Sequence, residues 1–284
     1  MKNQSIYENI TQRIVALLET GTVPWHKPWT AKAGMPRNAV SKKPYRGVNV
    51  LLLHSLSYES PFFATYKQVA ELGGSVKRGE KACPVIFWKP LEVKDAATGE
   101  TEKIPLLRYF YVFNLAQCEG LKDTPAPVDM PTTSTEAQSI IDNMPHRPTL
   151  KFGMTKAFYS PREDYVGMPN RERFDSEAGF FATMFHELTH ATGHATRLNR
   201  STLTDHAGFG TNEYSKEELV AELGASFLCA EAGIEQTLDN TAAYIANWLT
   251  ALKNDSKLII QASAQAQKAT DFILARKFGE ATSE

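Results

Sequence analysis

The chain has 284 residues, is 42% hydrophobic and 22% charged, and carries a formal net charge of −1. That composition allows a real core, and no stretch approaches the roughly eighteen apolar residues needed to span a membrane, so a soluble globular protein is expected, large enough for one big domain or two ordinary ones. The near-neutral total hides an asymmetry. Residues 1–125 hold 17 Lys and Arg against 11 Asp and Glu, and residues 126–284 hold 14 against 21, so two halves with different partners are expected.

Residues 1–21 place Ile6, Ile10, Ile14, Leu17 and Leu18 at helical spacing among Glu8, Gln12, Arg13 and Glu19. This is an amphipathic helix, without the continuous apolar run of a signal peptide. Cys83, Cys118 and Cys229 are scattered and lack C-x-x-C spacing, which points to reduced thiols and a cytoplasmic protein. Pro24 and Pro28 stiffen a loop that presents Trp25 and Trp29 around Lys27, and a basic stretch follows with Arg37, Lys42, Lys43, Tyr45 and Arg46. Residues 48–56 are expected as a helix, 62–64 as a short strand, and 66–72 as a helix closed by Gly73 and Gly74. Basic residues Lys77, Arg78 and Lys81 lead into a β-hairpin, whose strands are Val85-Ile86-Phe87-Trp88 and Leu107 to Phe113 with a turn at 97–100.

Bases stack on aromatic rings while cations follow phosphates, so rings interleaved with Lys and Arg suit unspecific single-stranded DNA binding. The candidate contacts are Trp25, Lys27, Trp29, Arg37, Lys42, Lys43, Tyr45, Arg46, Lys77, Arg78, Lys81 and Arg108.

From residue 120 to 136 prolines and a Thr/Ser cluster replace any hydrophobic period. The expected division is a DNA-binding domain at 1–122, a linker at 123–135 and a second domain at 136–284. The second half opens with a helix at 135–144 and short strands at 149–152, 157–160 and 164–168. Helices then follow, the last two at 238–252 and 256–278. The fold class expected is α+β.

Residues 184–194 contain His186, Glu187 and His190 in the pattern H-E-x-x-H. On a helix, side chains four apart share a face, so both imidazoles can turn toward one ion. Glu187 is then the candidate catalytic base for water attack on a carbonyl. Asp175 or Ser176 can cap the helix start, and Phe180, Phe181, Met184, Phe185 and Leu188 supply its apolar side. Gly193 fits the longer pattern H-E-x-x-H-x-x-G-x-x-H, but Thr196 stands where that pattern needs a third histidine. His194 on an unbroken helix lies about 12 Å along the axis from His186, too far to share an ion without a sharp turn at Gly193.

A carboxylate is the better third ligand. Residues 215–228 read as a buried helix, with Ser215 as N-cap and Glu218 as its capping-box partner. Glu218-Leu-Val-Ala221-Glu222 resembles the E-x-x-A-D/N pattern of glutamate-type zincins. That resemblance implies metal binding by Glu218, close helix contact at the small Ala221, and orientation of a ligand histidine by Glu222. The reverse assignment, Glu222 as ligand, stays open, and Glu217 is expected to be a solvated charge. His and carboxylate donors suit zinc first, with manganese or another divalent ion as alternatives. Tyr214 or His206 is a candidate for oxyanion stabilisation.

The segments Lys43-Pro-Tyr-Arg-Gly-Val-Asn-Val-Leu51, residues 65–74, Val76-Lys-Arg-Gly-Glu-Lys81 and residues 112–120 closely resemble the N-terminal domain of ArdC-type antirestriction proteins, which also occurs in TraC-type primases. The second half, with His186-Glu-Leu-Thr-His190 followed by residues 217–228, resembles the zincin domain that follows it. The resemblance implies an N-terminal α+β single-stranded-DNA-binding domain with a β-hairpin and a C-terminal zincin-like metallopeptidase domain. It further implies protection of incoming plasmid or mobile-element DNA from a host restriction enzyme. Two other readings share these features: a DNA-dependent metalloprotease acting on DNA-bound proteins, and a DNA-binding protein with a non-catalytic metal site.

Overall fold

The computed structural model describes residues 5–25, 34–94, 101–122, 125, 134–204, 212–234 and 242–276. Lys27, Trp29, His206, the expected hairpin turn at 97–100 and most of the linker lie outside the described residues, as does the side chain of Tyr214.

Helix α1 (Ile6–Glu19) starts in a capping box: the Ser5 hydroxyl accepts from the Glu8 amide at 3.2 Å, and Glu8 accepts from the Ser5 amide at 2.8 Å. Its apolar stripe, Ile10, Ile14 and Leu18, is buried. Strand β1 (Arg37–Asn38) and helix α2 (Val48–His54) follow, then β2 (Phe62–Thr65) and α3 (Tyr66–Glu71). A two-residue strand β3 (Ser75–Val76) precedes the long strands β4 (Cys83–Lys94) and β5 (Thr101–Asn114), and β6 (Cys118–Glu119) pairs back with β3.

The β4 and β5 pair is the expected hairpin, longer at both ends, with register running from Cys83↔Val112 to Lys94↔Thr101. The sheet order is β1-β2-β5-β4. Asn49 on α2 fastens the hairpin base to the body: its side chain donates to the Ile86 carbonyl and accepts from the Ile86 amide, both at 2.7 Å.

In the second half, α4 (Ser134–Asp142) leads to a three-stranded sheet, β7 (Thr149–Lys151), β8 (Phe158–Ser160) and β9 (Tyr165–Gly167), in order β7-β9-β8. Helix α5 (Glu177–Thr192), the short α6 (Ser201–Thr204), α7 (Asn212–Ala232), α8 (Ala242–Asn254) and α9 (Leu258–Ile273) complete the fold. Helix α7 begins earlier than expected, so Ser215 lies inside it and Glu218 is not a capping-box partner.

Helix α7 is buried nearly all round from Leu219 to Ala232 because it lies between two cores. Leu219, Val220, Leu223 and Phe227 join the core built with α1, α2 and the hairpin. Ala225, Leu228, Cys229 and Ala232 join the core built with α4 and α5. The last two helices, which carry no recognisable motif, fasten the halves together. Trp25 is fully buried with its ring edge-on to Trp248 at 5.2 Å between centroids. Thr11 Oγ1 donates to the Ser256 carbonyl at 2.7 Å, the Gly47 amide donates to Gln267 Oε1 at 3.0 Å, and Arg46 pairs with the buried Asp271.

Candidate metal centre

Helix α5 is capped by Ser176, whose hydroxyl accepts from the Gly179 amide at 3.0 Å. Phe180, Phe181, Met184, Phe185 and Leu188 are buried, which fixes the rotation of the helix and turns His186, Thr189 and His190 toward α7. A Cβ built on Gly224 of α7 would lie 2.5 Å from Thr189 Cγ2 and 2.6 Å from Thr189 Oγ1. Glycine therefore permits an approach of the two backbones that any larger residue would block.

At that distance Glu218 meets the histidine pair. His186 Nε2 and His190 Nε2 stand 3.1 Å apart, and Glu218 places Oε2 3.5 Å from His186 Nε2 and Oε1 3.5 Å from His190 Nε2. Their ligand atoms all fall within 4.8 Å of one another. Donors about 2.0 to 2.1 Å from a tetrahedral zinc stand roughly 3.3 Å apart, so the separations match what one small divalent ion requires.

The electrostatics agree. Burial would push His190 down, but hydrogen bonds and charges from Glu217 and Glu218 raise its pKa to about 10. His186 is also raised: burial opposes it, but the Glu218 hydrogen bond and the charges of Glu222 and Glu187 prevail. Burial would raise Glu218, yet its contacts with both histidines hold it well below the usual carboxylate range. Carboxylates crowded onto two imidazoles make a site that draws positive charge. Glu187 is buried beside them, at 8% exposure.

Glu222 stands behind His186, with Oε1 3.8 Å from His186 Nδ1, a nitrogen that is buried without a hydrogen bond. His194 lies apart from the cluster, half-buried and bonded through Nδ1 to the Thr196 hydroxyl at 2.8 Å.

Glu217 overturns the expectation of a solvated charge. It is 3% exposed, and its Oε1 lies 3.3 Å from His190 Nδ1. Thr202 donates to its Oε2 at 2.6 Å, and burial's upward push on its pKa is outweighed by His190 and Arg200, which bring it to about 2. Arg200 was likewise invisible to motif reasoning. Its side chain lies over Gly193, where a Cβ would come within 2.9 Å of Nη2, and donates to the Thr189 carbonyl at 2.7 Å and the Thr192 hydroxyl at 2.6 Å. Gly193, which suggested a metal-ligand turn in sequence, makes room for an arginine instead.

The candidate DNA contacts separate into two groups. Trp25 and Tyr45 are buried at 0% and 5% exposure, so neither presents a ring to a base; the apolar area of each ring is worth more in the core. Arg46 is tied to Asp271, and Lys42 folds back onto the Ala39 carbonyl and over the Phe62 ring. Arg37 is half-buried, reaching the Lys42 carbonyl at 3.3 Å. Lys43, Lys77, Arg78, Lys81 and Arg108 are exposed, Lys77 with its ammonium 2.9 Å from the Ala116 carbonyl.

Residues 4–113 match the family described as the N-terminal domain of anti-restriction factor ArdC, and residues 135–265 match the zincin-like metallopeptidase family MPTase-PolyVal. The chain is 34% identical over 95% of its length to a DNA primase TraC of Escherichia coli, of which it spans 27%, and 32% identical to a second TraC, of which it spans 20%. It is 34% identical to the uncharacterized protein y4eC of Sinorhizobium fredii, covering 96% of this chain and 92% of that one. Among solved structures it resembles the antirestriction protein ArdC from the R388 plasmid. The metal-free form shares 36% identity at a TM-score of 0.79, covering 95% of this chain and 97% of that one. The Mn(II)-bound form shares 35% identity at the same TM-score, covering 96% and 98%. With both domain families matched in order and a full-length likeness in sequence and fold, the chain belongs to the ArdC family of antirestriction proteins.

Proposed function

We propose that this protein binds single-stranded DNA without sequence preference and carries a gluzincin-type peptidase site, protecting incoming plasmid or mobile-element DNA from host restriction in the cytoplasm. The observation that carries the reading is the convergence of His186, His190 and Glu218 beside buried Glu187. Exposed Lys77, Arg78, Lys81 and Arg108 on the basic half support the DNA component. No helix of the described residues is long and apolar enough to cross a membrane.

His186, His190 and Glu218 would hold the ion, and Glu222 or Glu217 would orient the imidazoles from behind. Zinc is the proposed metal from the donor set, and manganese is the alternative because the R388 relative is described with Mn(II). A divalent ion held there supplies Lewis acidity, lowering the pKa of water and polarising a carbonyl. Glu187 takes a proton from the attacking water and returns it to the departing amine. An extended peptide would lie along β8, an edge strand packed against α5, by strand addition. The protein substrate proposed is a host restriction enzyme or another DNA-bound protein.

Plasmid transfer into a restricting host tests the reading. Wild type should protect the incoming DNA, and purified protein should cleave a DNA-bound protein when single strands are present. Glu187→Gln is expected to abolish cleavage. If protection survives that substitution, peptidase chemistry is unnecessary for protection. If no DNA condition elicits cleavage by the metal-loaded protein, the peptidase component is wrong.

A further inference from the structure

Strand β5 outruns its neighbour. It pairs with β2 only from Val112 to Asn114, whereas its pairing with β4 continues to Thr101. Beyond the end of β2 the ribbon carries Tyr109, Phe110 and Tyr111 at 48%, 47% and 53% exposure, with Phe87 at 37% across the ladder. Half of the large apolar side chains that are exposed among the described residues sit on this one ribbon, when Leu106 is counted with them. Rings left in water at that density mark an interaction surface.

The register sorts these rings by face. Successive strand residues point to opposite sides, so Arg108 and Phe110 share a face with Phe87, the Arg108 partner in the ladder, and Tyr109 and Tyr111 share the other. Phe87 and Phe110 meet at 5.8 Å between centroids and Tyr109 and Tyr111 at 5.5 Å, in edge-on geometry. Tyr45, buried, supports Phe87 from the body side at 6.2 Å.

Cations accompany the rings. Arg108 is exposed on the Phe87 face, and Lys77, Arg78 and Lys81 are exposed in the segment that leads into β4. Protein-binding patches are depleted of lysine at their centres, whereas rings bordered by Lys and Arg are the composition of single-strand binding.

We infer that this ribbon is the base-stacking platform for single-stranded DNA, with Tyr109, Tyr111, Phe110 and Phe87 taking bases and Arg108 and the Lys77-to-Lys81 segment taking phosphates. The inference rests on the single-strand-binding reading above and moves the platform away from Trp25 and Tyr45. Its substituted side chains are exposed, so removing them leaves the core intact.

Fluorescence anisotropy with the full chain tests it, using labelled oligothymidylate and an abasic deoxyribose-phosphate strand of equal length across a salt series. Wild type should prefer oligothymidylate. Y109A/Y111A should lose about tenfold or more of its affinity for oligothymidylate, bind the abasic strand as wild type does, and keep the wild-type salt slope. K77A/R78A/K81A should instead weaken both strands and flatten the slope. Metal content serves as the folding control and should not change in either variant. Wild type that binds neither strand would sink the single-strand reading itself. Wild-type preference for bases that survives both Y109A/Y111A and F87A/F110A would overturn the ribbon alone. The ribbon reading also fails if Y109A/Y111A abolishes a dimer seen by sedimentation and leaves DNA affinity intact.

Discussion

Arg200 grips Glu217 through both carboxylate oxygens, Nη2 to Oε1 at 2.6 Å and Nε to Oε2 at 3.1 Å, and both side chains are buried. The same guanidinium holds the last turn of α5, so one residue fixes the carboxylate that faces His190 and the helix end that carries His190. A buried pair of this kind contributes geometry more dependably than net stability. Glu217→Ala should therefore weaken metal binding by about tenfold to a hundredfold, the range seen when a carboxylate behind a ligand histidine is removed. Competition against a chromophoric chelator measures it. Glu217→Gln, which can still accept from Nδ1, should lose less than Glu217→Ala; equal losses would argue against an orienting role.

Metal analysis separates the two glutamates that sequence spacing left interchangeable. Glu218→Ala should abolish stoichiometric metal, because Glu218 reaches both Nε2 atoms. Glu222→Ala should retain metal at reduced affinity, since Glu222 faces Nδ1 of His186 rather than the Nε2 that joins the cluster. A metal-free Glu222→Ala protein beside a metal-loaded Glu218→Ala protein would reverse the assignment.

The contact between Gly224 and Thr189 is a steric prediction. Gly224→Ala forces α7 away from α5 and should cost about 1–3 kcal/mol in the metal-free protein, as overpacking does. It should also lower metal affinity, since Glu218 rides on α7. Adding Thr189→Ala removes the two nearest clashing atoms and should recover part of both losses in chemical denaturation and metal titration.

Arg197 ties the far side of the site. It donates to both oxygens of Asp164 at 2.8 Å, to the Ala191 carbonyl at 3.0 Å and to the His146 carbonyl at 2.9 Å. Burial would raise Asp164, but hydrogen bonds from Arg197 and Tyr159 and the Arg197 charge outweigh it and lower its pKa. A carboxyl depressed on folding adds stability that is present above its unfolded pKa of about 3.9 and is lost as pH falls through the lower folded value. The stability gap between wild type and Asp164→Asn should therefore be full at neutral pH and close only below about pH 4. Urea melts of the metal-free proteins from pH 3 to 7 provide the curve; a gap that does not change with pH would rule the carboxylate charge out as its source.

What the sequence made legible follows from where the chemistry is local. His186 and His190 had to lie four apart on a helix to share an ion, and that spacing is written in adjacent residues. Glu217 and Glu218 are neighbours of the same type, about 100° apart around one helix, and only the packing of α7 against α5 decides which faces the Nε2 atoms. Arg200 reaches the site through the absence of a side chain at Gly193, which no periodicity reports. In the basic half, composition showed rings among cations but could not tell Trp25, sealed under Trp248, from Tyr111, left in solvent. Burial of Trp25 is decided by Trp248, more than 200 residues away in the chain, and single-sequence patterns do not carry that information.

Helix α7 has one flank in each core, so neither half owns it. A fragment ending in the linker would keep α1, α2 and the hairpin but lose Leu219, Leu223 and Phe227 from their packing, and would meet water with an uncovered apolar wall. Gene fusions that transplant only the first half onto another enzyme should therefore need a replacement for this helix to stay soluble. Shuffling of the two halves between relatives is constrained in the same way: an exchanged half must bring a helix whose two faces fit both neighbours at once.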